Sequence, residues 1–269
     1  MQLGWTAPQK KGFCSRHRLG KVADQLTNKN TIQKLNIVQK QTLDPKRVYV
    51  IACQVLQHAL QPLLNNIPGL ATCQFLDYGL HTVPAQMTTQ IQSAIDSATE
   101  PGIVLIGYGL CGNGLVGLQT RQHTLVIPRT DDCIAILMGS FHRFLQDFQS
   151  HPGSYYLSKG WLESGHHPLA QLKEWSVSYG PEKAKKLIAR MYKHYQRVVL
   201  VAFSPEELDR YRHQVQEVAT LLGVTYAEMI GESSLLERLV WQAHTLNVDD
   251  QEFVIVPPHG TVKQLSFIR

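Results

Sequence analysis

The sequence predicts an α/β protein of Rossmann-like lobes, with mainly parallel sheets and flanking helices, because of three features. Short apolar runs alternate with amphipathic segments along most of the chain, which is the pattern of parallel strands joined by right-handed crossovers. The run Ile103-Val104-Leu105-Ile106 breaks directly into Gly107-Tyr108-Gly109-Leu110-Cys111-Gly112-Asn113-Gly114, a glycine-rich turn at the strand end where open α/β sheets bind ligands. Two more cysteines occupy comparable places: Cys53 closes Val48 to Ala52, and Cys133 follows the strand Leu125 to Ile127.

Residues 1–44 hold eight Lys or Arg against Asp24 and Asp44, a balance of +6 that leaves −1 for residues 45–269. That Gln- and Asn-rich stretch reads as a basic, disordered arm, and the near-neutral remainder argues against nucleic-acid binding. The α/β domain spans 45–269 and is expected to form two lobes dividing near 150–195, since Arg47-Val48-Tyr49-Val50 and Arg197-Val198-Val199-Leu200 start alike.

Val48 to Ala52 is the first predicted strand. A helix from Gln54 to Leu64 follows, with Leu56, Leu60, Leu63 and Leu64 on one face. Ala71 to Leu76 is the next strand, and Pro84 opens a helix over about 85–97 because proline suits a first turn. Strands at Ile103 to Ile106 and Leu125 to Ile127 lead to a predicted helix from Cys133 to Phe148, capped by Asp131 and Asp132. Regularity weakens from His151 to Tyr179, and Tyr155 to Glu163 reads as an aromatic loop that walls or covers the site. Helices at Pro181 to Tyr195, Pro205 to Leu222 and Ser233 to Trp241 alternate with strands at Arg197 to Phe203, Val224 to Glu228 and Glu252 to Val256.

A chain of 269 residues, 43% apolar and 17% charged, can bury a large core. Its apolar runs fall far short of the roughly 20 residues that span a bilayer. With no secretory segment at the start, the expected location is cytoplasmic, and five cysteines without framework spacing are expected to stay thiols.

Three strand-end thiols point to one shared centre. Cys53, Cys111 and Cys133, with His81 as a further ligand, suit tetrahedral zinc, and three thiolates can alternatively hold an iron-sulfur cluster. No CxxC or HExxH spacing fixes that geometry, and buried thiols also serve as small apolar residues. Around the centre, Gly107, Gly109, Gly112 and Asn113 would let a cofactor approach the backbone. Arg129 and Lys159 would hold an anionic small molecule, although each basic residue also suits a surface ion pair. Asp132 is the candidate base, with helix capping as its other role, and Tyr108 the candidate donor to an oxyanion. His166 and His167 are adjacent, so their side chains diverge and metal binding there is disfavoured.

Several of these segments are familiar together: Ile51-Ala52-Cys53, Leu80-His81 with Pro84, the glycine-rich turn, Pro128-Arg129-Thr130-Asp131-Asp132-Cys133 with Gly139-Ser140, and Tyr155-Tyr156-Leu157-Ser158-Lys159-Gly160-Trp161. In this order they resemble a prokaryotic family catalogued as domain of unknown function 1638, over about residues 46–260. The resemblance implies a domain and no established activity. It picks out Cys53, His81, Cys111 and Cys133 and leaves Cys14 and Cys73 outside its motifs. Gln54-Val55-Leu56-Gln57-His58 departs from it in being less acidic.

The functional expectation is a metal-dependent transferase or lyase acting on a small anionic molecule, with no nucleic-acid or membrane partner and homo-oligomerisation left open. Three alternatives stay beside it. One is a non-enzymatic metal, iron-sulfur or corrinoid-related carrier or sensor. Another is a Cys111 nucleophile with His81 as its base. The third is a dinucleotide cofactor at Gly107, Gly109 and Gly112, for which a following helix and a ribose-binding acid are not evident.

Overall fold

β1 (Arg47–Cys53) is apolar on both faces, and every residue from Val48 to Cys53 is buried. Such a run suits the middle of a parallel sheet, which is covered on both sides. In the computed structural model, which describes residues 47–269, β2 (Leu70–Leu76) and β3 (Gly102–Gly107) pair with β1 on either side, both parallel. β4 (Thr124–Pro128) adds a further parallel strand beyond β3, and β8 (Phe253–Val256) closes that edge antiparallel. The order β2-β1-β3-β4-β8 leaves a topological switch point between β1 and β3, where crevices form at the carboxyl ends of strands. The arm expected over 1–44 lies outside the described residues.

A second sheet of β5 (Ser154–Ser158), β6 (Arg197–Ala202) and β7 (Thr225–Ile230) is parallel throughout. Helix α1 (Pro84–Asp96) crosses from β2 to β3, while α2 (Cys133–Leu137) and α3 (Phe141–Ser150) lead from β4 to the second sheet. Three helices, α4 (Lys159–Ser164), α5 (Pro168–Tyr179) and α6 (Pro181–Met191), separate β5 from β6. Next, α7 (Pro205–Leu222) joins β6 to β7, and α8 (Ser234–Thr245) returns the chain to β8. The mainly parallel α/β architecture expected from the sequence is therefore present.

Alternation along β6 ties the sheets together. Val199 and Val201 belong to the apolar cluster of the first sheet, whereas Val198, Leu200 and Ala202 pack with Leu208, Val215 and Val218 of α7. Successive strand residues face opposite sides, so one strand serves two cores. Among the described residues, no helix is long and apolar enough to cross a membrane.

Three local expectations differ from the fold. Gln54 to Leu64 is a series of short turns, with 3₁₀ geometry at Gln54–Leu56 and Gln61–Asn66 around a helical turn at Gln57–Leu60. Pro62 has no N–H for an i→i−4 bond and its ring crowds the preceding turn, so the apolar spacing is not enough to extend a helix there. The predicted helix from Cys133 to Phe148 breaks at Gly139, whose φ is 82°, and restarts with Ser140 Oγ accepting the Arg143 N–H at 3.1 Å. The segment Tyr155 to Glu163 is ordered secondary structure, β5 running directly into α4, rather than a loop. Gly160 disfavours a helix by propensity, but a Cβ at that position would lie 2.7 Å from the Val55 carbonyl oxygen. Close packing of α4 on the turn after β1 therefore overrides local preference.

Candidate thiol centre and aromatic cleft

Ala52 lies opposite Gly107 in the β1–β3 register, so the loop leaving β3 begins beside Cys53. A Cβ on Gly107 would stand 2.6 Å from the Ala52 Cβ, and one on Gly109 would stand 2.6 Å from the Asp132 backbone. These glycines let the loop lie flat between β1 and the segment after β4. The Leu110 N–H donates to the Thr130 carbonyl at 2.9 Å, and the Cys111 N–H to the Asp131 carbonyl at 2.7 Å. Pinned in this way, Cys111 adopts a φ of 45° and Asn113 a φ of 71°. Left-handed backbone at a residue other than glycine costs about 1–3 kcal/mol and persists only where surrounding contacts impose it.

Cys53, Cys111 and Cys133 are all buried. Burial is the main cause that pushes each thiol upward in pKa, Cys53 to about 11. The three also sense one another: Cys53 raises Cys111, and both raise Cys133. The end of β1, the loop after β3 and the start of α2 thus bring three thiols into one neighbourhood. Backbone N–H groups favour the thiolates in the opposite direction, Val55 at Cys53 and both Gly109 and Cys133 at Cys111. Among the described residues, no group of three or more His, Cys, Asp or Glu side chains is gathered tightly enough to hold a metal ion.

Tyr108 is buried at the middle of this group and is held un-ionised chiefly by that burial, reinforced by all three cysteines. Its hydroxyl faces the Cys53 sulfur, close enough to favour that thiolate, and has no other partner. A buried hydroxyl without a partner carries a desolvation cost, so this one is available to a bound group.

His81 is exposed, with Nδ1 2.6 Å from the Tyr78 carbonyl oxygen, and its charge acts on Asp132. Asp132 caps α2, accepting the Ile134 N–H at 2.8 Å. Burial raises its pKa, Asp131 adds to the rise, and the Ile134 and Ala135 N–H groups and His81 oppose it. Arg129 turns toward β8, where its Nη1 reaches Gln251 Oε1 at 3.4 Å. Lys159 opens α4 beside His58 and disfavours a charge there. Gly112 and Asn113 are exposed at the loop tip. The sequence-predicted residues therefore separate into a thiol group with Tyr108, a His81–Asp132 pair at a cleft, and two cations that line neither.

That cleft encloses about 680 Å³. His81, Asp132 and Ile134 form one side, and Tyr155, Tyr156, Trp161, His166, Tyr192 and Tyr195 form much of the other. His166 stacks on Tyr78 with ring centres 5.8 Å apart, while its neighbour His167 is buried with Nε2 3.3 Å from Gln214 Nε2. Tyr192 and Tyr195 escaped the sequence reading because they end an amphipathic helix and carry no motif. Only the fold brings them beside Tyr155, at ring separations of 5.2 and 5.1 Å. The helix that a dinucleotide fingerprint requires after the glycine turn is absent, since the chain runs through turns to β4, and with it the helix N-terminus that a dinucleotide phosphate needs.

No curated protein and no solved structure matches this chain. The family model described as protein of unknown function, DUF1638, matches residues 75–240. That span contains His81, Tyr108, Cys111, Asp132, Cys133 and the aromatic wall, while Cys53 lies before it. Since the match covers more than half of the 269 residues, the chain belongs to the DUF1638 family.

Proposed function

We propose that Cys53, Cys111 and Cys133, which as they stand are not gathered tightly enough for a metal, draw together on a soft metal ion, zinc first, and that the protein uses it for transfer or lyase chemistry on a small molecule entering by the aromatic cleft. The observation that supports this reading best is the convergence of three buried thiols at the sheet's switch point. Soft thiolates select zinc and related metals, and such a metal displaces thiol protons as it binds. The N–H groups of Val55, Gly109 and Cys133 already favour the thiolate form. Three thiolates leave one position of tetrahedral zinc for a substrate atom, and the Tyr108 hydroxyl is at hand to donate to it. A metal-free cysteine nucleophile has less support, because a reactive thiol needs a lowered pKa and burial raises all three.

Elemental analysis of protein purified without oxygen and without a metal-binding tag tests the proposal. Near-stoichiometric zinc is expected, lost largely in Cys111→Ser and retained in Cys73→Ser, whose thiol sits in β2. Iron with sulfide would assign a cluster to the same thiolates. A folded, metal-free protein, or equal losses in both variants, would overturn the ligand set.

A further inference from the structure

We infer that the cleft receives an organic cation, an ammonium carried on an aromatic or alkyl body, rather than the anion expected from Arg129 and Lys159. This deepens the reading above and rests on it, since the cleft is taken as the approach to the thiol centre. Three observations carry the sign of the charge.

First, the described residues lining the cleft include neither Lys nor Arg. Arg143 holds Glu232 at 2.8 Å and the Ile230 carbonyl at 2.6 Å, Arg129 reaches Gln251, and Arg197, which donates to Ser154 of the lining at 2.7 Å, is paired with Asp147. Second, Asp132 is the carboxylate in the lining, with exposed Asp131 adjacent. Capping of α2 uses Asp132 Oδ1. Third, seven tyrosine, tryptophan and phenylalanine rings line the cleft, including Phe144 and Phe148, whose rings stack 5.9 Å apart. Ring faces carry negative potential and attract a weakly hydrated ammonium, while they offer nothing to a carboxylate or phosphate. His81 and His166 also line it.

Calorimetric titration of the full-length protein with benzyltrimethylammonium and with benzenesulfonate, probes of similar size and opposite sign, tests this. The ammonium is expected to bind at least about tenfold more tightly than the sulfonate, a difference of about 1.4 kcal/mol. Asp132→Asn keeps the helix cap and should remove most of that preference. Tyr195→Leu keeps apolar bulk and should weaken the ammonium alone. Equal affinities, a tighter sulfonate, or no binding of either probe would overturn the inference. Metal content measured on the same samples separates the two proposals. Ammonium binding that depends on Asp132 in metal-free protein keeps the cleft and removes the centre, whereas a metal-loaded protein without charge preference does the reverse.

Discussion

Asp132 shows how one residue serves fold and site at once. Its carboxylate caps α2, yet burial raises its pKa, so ionisation is harder in the folded protein than in the unfolded chain. The sign follows: both states are protonated well below about pH 3.9, and folding loses stability as pH rises from there through the folded pKa. Asp132→Asn should therefore melt higher than wild type at pH 7, with the gap closing toward pH 3. Thermal melts across that range check it, and a lower melting temperature at pH 7 would show that the charge stabilises. The thiols have the same sign, and their pKa values above the ordinary range make metal uptake a proton-releasing step. The logarithm of zinc affinity should rise with a slope of about 3 per pH unit near neutrality, as for three thiols deprotonating, and competition with a chelator at several pH values measures it. The thiols were legible in the sequence because a cysteine at a strand end has a position predictable from periodicity. Arg129 was not, because the direction of its side chain depends on β8, which is distant in sequence and antiparallel.

At the scale of elements, most strands and helices could be read from apolar spacing, and α7 matched residue for residue. What could not be read was interruption and close packing. Gly139 ends α2 with a φ of 82°, and a Cβ there would stand 2.6 Å from both the Glu232 Cβ and the Ser234 Oγ. Gly139→Ala combines a strained backbone with overpacking, so a loss of about 2–4 kcal/mol is expected in denaturant unfolding. A loss under about 0.5 kcal/mol would mean that the α2–α3 corner and α8 yield easily. Tyr155 to Glu163 looked irregular for a related reason. A strand of five residues followed by a helix of six gives too few repeats for either period to stand out.

For the whole molecule, the seam between the sheets matters most. β6 feeds two cores, α4 presses on the turn after β1, and half-buried His58 and Glu207 face each other there at 4.0 Å. The sequence suggested two lobes and had no means of showing that the two faces of β6 serve different apolar clusters. Gly160→Ala isolates the seam: helix propensity would gain about 1 kcal/mol, while forcing a Cβ against the Val55 backbone costs up to about 3 kcal/mol. A net fall of several degrees in melting temperature is expected, with metal content reduced as Cys53 shifts, and an increase in melting temperature would show that the seam is slack.

Because the central claim concerns three particular sulfurs, the most direct measurement is metal-edge X-ray absorption on protein purified without oxygen. Three sulfur neighbours at about 2.3 Å, with one lighter atom completing the shell, are predicted for zinc. A shell made only of nitrogen and oxygen, or protein that carries no metal at all, would contradict the account.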